Sequence, residues 1–364
     1  PFLFVAALSA KAQNNYLLIG TYTSGKSEGI YVYNFNSSTG NFSYASKIKS
    51  VNPSYLAVSP NQRYVYAVNE EGNTKGGHVT AYRFNRNAGE LTMINQQPSQ
   101  GDDPCYVAVD KTGKWVTAGN YTGGSISVLP VMANGGVGEI ATHIQHTGSS
   151  TNSERQEKAH VHCTYFSKDN RFLFVPDLGI DKIMIYSFNE KNGNLKPASQ
   201  AFVKAKDGSG PRHIDFTPNN KYAYLMQELT GIVVAYKYSN GKLIAMQSIY
   251  AAPGDFKGTM GSADIHVSPD GKFLYCSNRG ESNTITIFKI NPADGKLKLV
   301  GQQPTLGLTP RNFNFDPSGN FILVANQNSD NIIIFKRNKQ TGLLTDTGKK
   351  IEVGNPVCIK WITK

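Results

Sequence analysis

Short apolar stretches separated by polar turns run the length of the chain, with apolar side chains at mostly alternate positions. Phe273-Leu274-Tyr275-Cys276-Ser277-Asn278 and Thr284-Ile285-Thr286-Ile287-Phe288 show the pattern, a period-two alternation of β-branched and aromatic residues that predicts strands. Turns such as Ser268-Pro269-Asp270-Gly271 separate them, with Pro presetting φ and Gly supplying positive φ. The stretch from Asn52 to Asn69 returns from Gly210 to Gln227, from Ser262 to Asn278 and from Pro310 to Asn326, with weaker copies starting at Pro104 and His160. Pro60 and Pro317 hold the same place in the first and last of these six copies, which sets a period of about 51 residues. Each copy predicts an inner strand, a turn, two further strands and an outer strand after a Gly/Leu turn such as Gly295-Lys296-Leu297, the content of one propeller blade. The six copies leave the first strand of a copy at Asn355 to Trp361 and the remainder of one at Tyr16 to Phe42. The two ends complete a seventh blade, which removes the exposed edges of an open array. The expected fold is therefore all-β, a seven-bladed β-propeller closed by pairing of N- and C-terminal strands in one blade, as one domain over residues 13–364.

Composition agrees with this and excludes several function classes. Charged residues make up only 17% of 364, against 35 Gly and 17 Pro, which excludes a disordered chain or a coiled coil. No apolar run reaches the length of a spanning helix, so no membrane span is expected. The net charge of +11 comes from Lys and Arg scattered singly through turns, so a nucleic-acid partner is not expected. Cys105, Cys163, Cys276 and Cys358 are far apart with no C-x-x-C and read as small buried hydrophobes. Residues 1–12, PFLFVAALSAKA, look like the tail of a secretory signal peptide ending in an A-x-A-like site. This predicts a periplasmic or secreted protein, or a cytoplasmic one if the segment is not a signal.

Comparing the copies separates positions that repeat from positions that vary. The residue after the Pro-like position reads Ser54, Cys105, His162, Arg212, Ala263, Arg311 and Val357; the residue closing the second strand reads Tyr22, Glu70, Tyr121, Leu178, Glu228, Arg279 and Gln327. Both sets sit at strand ends, which in a propeller converge on one mouth of the central channel. Arg212, Arg279 and Arg311 grouped around a pocket call for an anion. His160, His162, His213 and His266 fall at the same ends, and Glu228 follows Arg212 within one blade. His160 and His162 could share a strand face as metal ligands, but no third strong ligand lies near in sequence, so neither metal nor other cofactor is expected.

The strings His160-Val161-His162, Val175-Pro176-Asp177-Leu178-Gly179-Ile180-Asp181, Gly210-Pro211-Arg212-His213 with Gln227-Glu228-Leu229, Ser277-Asn278-Arg279-Gly280, and Pro310-Arg311 with Ala325-Asn326-Gln327 together resemble the propeller lactonase family. That family includes the propeller type of 6-phosphogluconolactonase and the fungal carboxymuconate-lactonising enzymes. Val161 and Asp264 stand where the family often has Pro and Glu. The resemblance implies a metal-independent hydrolase opening a small anionic sugar-acid lactone. It places catalysis on His162, Glu228, Arg212 and Arg279, with His162 or Glu228 as base, and His160 an alternative within the H-x-H string. Substrate binding would fall to His160, His213, Asp264, His266, Arg311 and Gln327. Two other functions fit the sequence: a non-catalytic envelope propeller binding glycan or protein through Tyr22, Tyr55, Tyr106 and Tyr121, and a Ca²⁺-dependent gluconolactonase-type enzyme.

Overall fold

A computed structural model describes residues 14–72, 76–252 and 256–364. The segment read as a signal peptide lies outside the described residues. Among these residues the alternating stretches form twenty-eight strands, β1 to β28 in chain order, in seven antiparallel four-stranded sheets. One sheet has the order β28-β1-β2-β3, combining Pro356–Thr363 with Asn14–Thr21, Gly29–Asn36 and Phe42–Lys49. Its closing pair runs in register from Asn15 opposite Thr363 to Ile19 opposite Ile359. The ring therefore closes on the seventh blade formed by the two chain ends.

The second strand of each blade is the most buried, as in Tyr222–Gln227 and Phe321–Asn326, every residue of which is buried. Its residues repeat because they join neighbouring blades. Tyr66, Tyr224 and Tyr275 donate their hydroxyls to the carbonyls of Gly135, Gly295 and Gly342 in the following blade. The Asn that ends the strand repeats for a similar reason. Asn69, Asn120, Asn278 and Asn326 each donate through Nδ2 to the carbonyl of Val51, Ser99, Ala251 or Thr305, on the segment entering the blade. These bonds satisfy carbonyls that the sheet ladders leave free and hold the next residue of each chain at the channel rim.

The first, inner strands carry a feature absent from the period-two pattern. The ladder shifts register between Pro104 and Tyr106, Pro211 and His213, Ser262 and Ile265, Pro310 and Asn312, and across Val357 in the closing pair. A bulge leaves its extra residue unpaired and re-aims its side chain. The residues skipped are Cys105, Arg212, Ala263 with Asp264, Arg311 and Val357, so the bulges deliver five of the seven residues of that variable column to the channel.

Candidate active site

At one mouth of the channel lies a cavity of about 500 Å³ lined by Tyr22, Glu70, Cys105, Tyr121, Arg155, His162, Glu228, Arg279 and Arg311 with the backbone around Gly261, Gly280 and Thr309. A second, far smaller space of about 10 Å³ adjoins it through the shared Cys105, His162 and Arg311 and is lined by Ser54, Tyr55, Arg212, His213 and Asn312. A stacked pair, Tyr55 on Tyr106 with ring centroids 4.1 Å apart, stands below. It separates this cavity from a shallower one at the opposite mouth, beside Lys360 and Trp361.

Two motifs read from the sequence set the walls. Asp177 accepts from the His160 and Gly179 amides at 2.8 and 3.0 Å, which fixes the His-Val-His segment against the end of its own blade. Asp181 accepts from the amides of Gly208, Ser209 and Gly210 and so places the strand that begins at Pro211. A Cβ at Gly179 would lie 1.8 Å from the Lys158 carbonyl, so only glycine lets the two segments meet. Gly280, at φ +65, is equally constrained: a Cβ there would lie 2.2 Å from the Thr259 carbonyl.

Glu228 is the electrostatic centre. Its Oε1 accepts from Arg155 at 2.6 Å and its Oε2 from Arg212 Nε at 2.8 Å, and Arg279 Nη2 forms an ion pair with Oε2 at 3.0 Å while its Nε donates to the Gly261 carbonyl. Burial alone would raise its pKa, but Arg279, Arg212 and Arg155 outweigh it and hold the carboxyl well below the usual range. Burial, opposed by Glu228 and reinforced by Arg212 and Arg311, draws Arg279 down to about 10, which still leaves it cationic at neutral pH. Arg311 makes no ion pair or hydrogen bond among the described residues; its guanidinium lies over the Tyr22 ring, 5.4 Å from the centroid. Tyr22 donates to Glu70 at 2.8 Å, whose pKa burial raises against the pull of Arg311.

His162 lies between these groups, with Nε2 3.9 Å from Glu228 Oε2 and Nδ1 3.7 Å from Cys105 Sγ. Burial, with Arg212, His213 and Arg311, holds its pKa well below the ordinary histidine value. The ring is thus neutral at pH 7 and keeps a lone pair.

His162, Glu228, Arg212, Arg279 and Arg311 therefore come together as the sequence suggests, whereas the other expected contacts fall elsewhere. His160 faces away from the cavity, stacked on Tyr121 at 4.5 Å, with Nδ1–H donating to the Tyr121 carbonyl and Nε2 beside Glu157. His213, Asp264 and His266 lie deeper in the channel, linked to one another through the Asp264 carboxylate. Gln327 opens a 3-10 turn, Gln327–Ser329, and does not line the cavity. Tyr55 and Tyr106, expected on an aromatic surface, form the internal stack instead. Arg155 lies outside the repeat, on the connection over residues 146–159 that precedes the copy starting at His160; the length of that insertion is its one signal in the sequence. All four cysteines are buried and free. Among the described residues, no three His, Cys, Asp or Glu side chains are grouped as metal ligands.

Comparison with known proteins places this site in a family. The family model described as "Lactonase, 7-bladed beta-propeller" matches residues 16–361. A 6-phosphogluconolactonase of Formosa agariphila is 41% identical over 353 residues, covering 95% of this chain and 99% of that protein. A 6-phosphogluconolactonase of Bacillus subtilis is 38% identical, covering 94% and 97%. The structure of the Pseudomonas aeruginosa periplasmic gluconolactonase PpgL superposes with a TM-score of 0.91 at 37% identity, covering 96% of this chain and 99% of that one. The chain belongs to the seven-bladed β-propeller lactonases, enzymes of the hydrolase class.

Proposed function

We propose that this chain hydrolyses a small anionic sugar-acid lactone at the Glu228 cavity, with the arginines binding charge and His162 handling the proton. The observation that carries this reading is the convergence of Arg155, Arg279 and Arg311 on one cavity, with Arg212 on the small space beside it, where among the described residues Glu228 alone pairs with three of the four, Arg155, Arg212 and Arg279. The names of the relatives support it, two being 6-phosphogluconolactonases and one a gluconolactonase.

Neutral His162 takes a proton from water as the water oxygen bonds to the lactone carbonyl carbon. Arg212 and Arg279 stabilise the oxyanion that forms. When it collapses, the ring C–O bond breaks and the departing oxygen takes the proton back from the imidazolium, beside Glu228. Glu228 is not the base, because both its oxygens are engaged by guanidiniums and its affinity for protons is depressed. It aligns the arginines instead. Arg311, with Arg155 on the same cavity, holds the substrate carboxylate or phosphate. The scheme uses no metal, since a divalent cation would have to enter among four positive groups.

A pH-indicator assay against phosphorylated and plain aldonolactones should give turnover above the spontaneous rate, unchanged by EDTA and reduced about 10²–10³-fold in Arg212→Ala. Wild-type turnover in that variant, or loss on chelation, would contradict the scheme. The apolar run of residues 1–12 and the similarity to a periplasmic gluconolactonase further support export. Mass spectrometry of the protein from cells should then find an N-terminus near Gln13, and one that retains residues 1–12 would refute processing.

A further inference from the structure

Arg212 and His213 stand next to each other on the inner strand Pro211–Phe216, and both are buried. Two of the three Arg212 nitrogens are committed to protein partners: Nε to Glu228, and Nη1 to the Ala263 carbonyl at 2.7 Å and to His213 Nε2 at 3.2 Å. A guanidinium has no acceptor. His213 Nε2 must therefore be the bare nitrogen, with the ring proton on Nδ1, which donates to Asp264 Oδ1 at 2.8 Å. Asp264 is itself held in place. Its Oδ1 also takes the Ile265 amide at 3.0 Å, while Oδ2 takes Asn312 Nδ2 at 2.5 Å and His266 Nε2 at 3.0 Å. No hydrogen bond among the described residues uses Arg212 Nη2, and Arg212 lines the small space that shares Cys105, His162 and Arg311 with the cavity.

We propose that Asp264 and His213 are positioning residues, which act through Arg212 by holding its guanidinium edge-on so that the Nη2 N–H groups meet the carbonyl oxygen of the bound lactone. The inference rests on the lactonase reading above and assigns to these two residues a task other than touching substrate. Asp264 selects the tautomer of His213. With the proton on Nε2, two N–H groups would face each other and drive Arg212 from its place. Burial and the Arg212 charge also keep the ring neutral, with its pKa drawn down to about 4 against the pull of Asp264, so that Nε2 remains an acceptor through the physiological range. The arrangement parallels the use of a buried carboxylate to fix a catalytic imidazole, except that the group being aimed is a guanidinium.

A double-mutant cycle on the full chain tests this. Asp264→Asn should lower kcat by about ten- to hundred-fold with KM nearly unchanged, and should cost less than about two-fold when added to Arg212→Ala, because the group it positions is then absent. An equal cost in both backgrounds would overturn the proposal and give Asp264 a role of its own. If Asp264→Asn does not fold, the pair His213→Gln and His213→Leu decides. The Gln amide oxygen can replace the Nε2 acceptor, so it should retain clearly more kcat than Leu, and equal losses would overturn the proposal. Wild-type turnover in Arg212→Ala alone would instead remove the lactonase scheme itself, a distinct result.

Discussion

Arg155, Arg212 and Arg279 share one carboxylate, while Arg311 faces the cavity with only an aromatic ring beneath it. A guanidinium so placed is available to a ligand without first breaking an ion pair. Its contribution should therefore appear as uniform binding, since the anion it grips carries the same charge in the substrate and in the transition state. A charge-assisted hydrogen bond is worth about 1.5–3 kcal/mol, or roughly ten- to hundred-fold in affinity. Arg311→Ala should thus raise KM by that factor and leave kcat nearly unchanged, with Arg311→Lys between the two because a point charge replaces the planar fork. Steady-state kinetics on the preferred lactone would show it. A loss confined to kcat would instead place Arg311 at the reacting carbonyl.

At the level of strands and turns, the site is made where the blades depart from their common pattern. Rotation of the variable residues into the channel depends on the inner-strand bulges, and position of the second-strand column depends on the Asn before it. Gly280 is one such tight point, because its αL turn lies against the Thr259 carbonyl directly after Arg279. Gly280→Ala should cost about 1–3 kcal/mol of backbone strain and displace Arg279 from Glu228. The expected result is a fold retained by circular dichroism with lactone turnover reduced at least about ten-fold; unchanged turnover would mean that the turn does not fix Arg279. How much could be read beforehand follows from the same distinction. Blade number, closure by the chain ends and the two variable columns come from a repeat, and a repeat registers every blade in one alignment. Period-two alternation carries no sign of a bulge, so it could not separate His162, which faces the cavity, from His160, which faces Tyr121. Arg155 has no counterpart in the other copies, and no comparison between copies could reveal it.

Over the whole ring, the channel concentrates buried ionisable groups whose proton affinities differ from those of the unfolded chain, and this makes stability depend on pH in a definite direction. His162 and His213 are buried neutral, chiefly by burial and then by the Arg212 charge, His213 down to about 4. An unfolded chain takes up protons on both near pH 6.5, so between pH 6.5 and about 4 the unfolded state binds more protons and acidification favours it. Glu228 and Asp264 act in the same sense further down: burial opposes their ionisation, but Arg279 and Arg212 on one and His266 and His213 on the other hold both below the usual carboxylate range. Their contribution is complete above the unfolded carboxylate pKa and is lost as pH falls. His266 opposes the trend, since the Asp264 charge outweighs its burial and raises its pKa. Its contribution is complete below about 6.5 and fades as pH rises through its folded value. Four acid-sensitive groups, His162, His213, Glu228 and Asp264, stand against three of opposite sign, His266 and the carboxyls of Glu70 and Asp215, which burial raises, so on balance the ring should loosen with acid. Tm followed by near-UV circular dichroism should therefore fall by on the order of several degrees from pH 7 to pH 5. His213→Gln, which removes one of the groups that must stay neutral, should show a shallower fall over that interval. A Tm independent of pH across it would mean that the channel histidines titrate in the folded ring as they do in the unfolded chain.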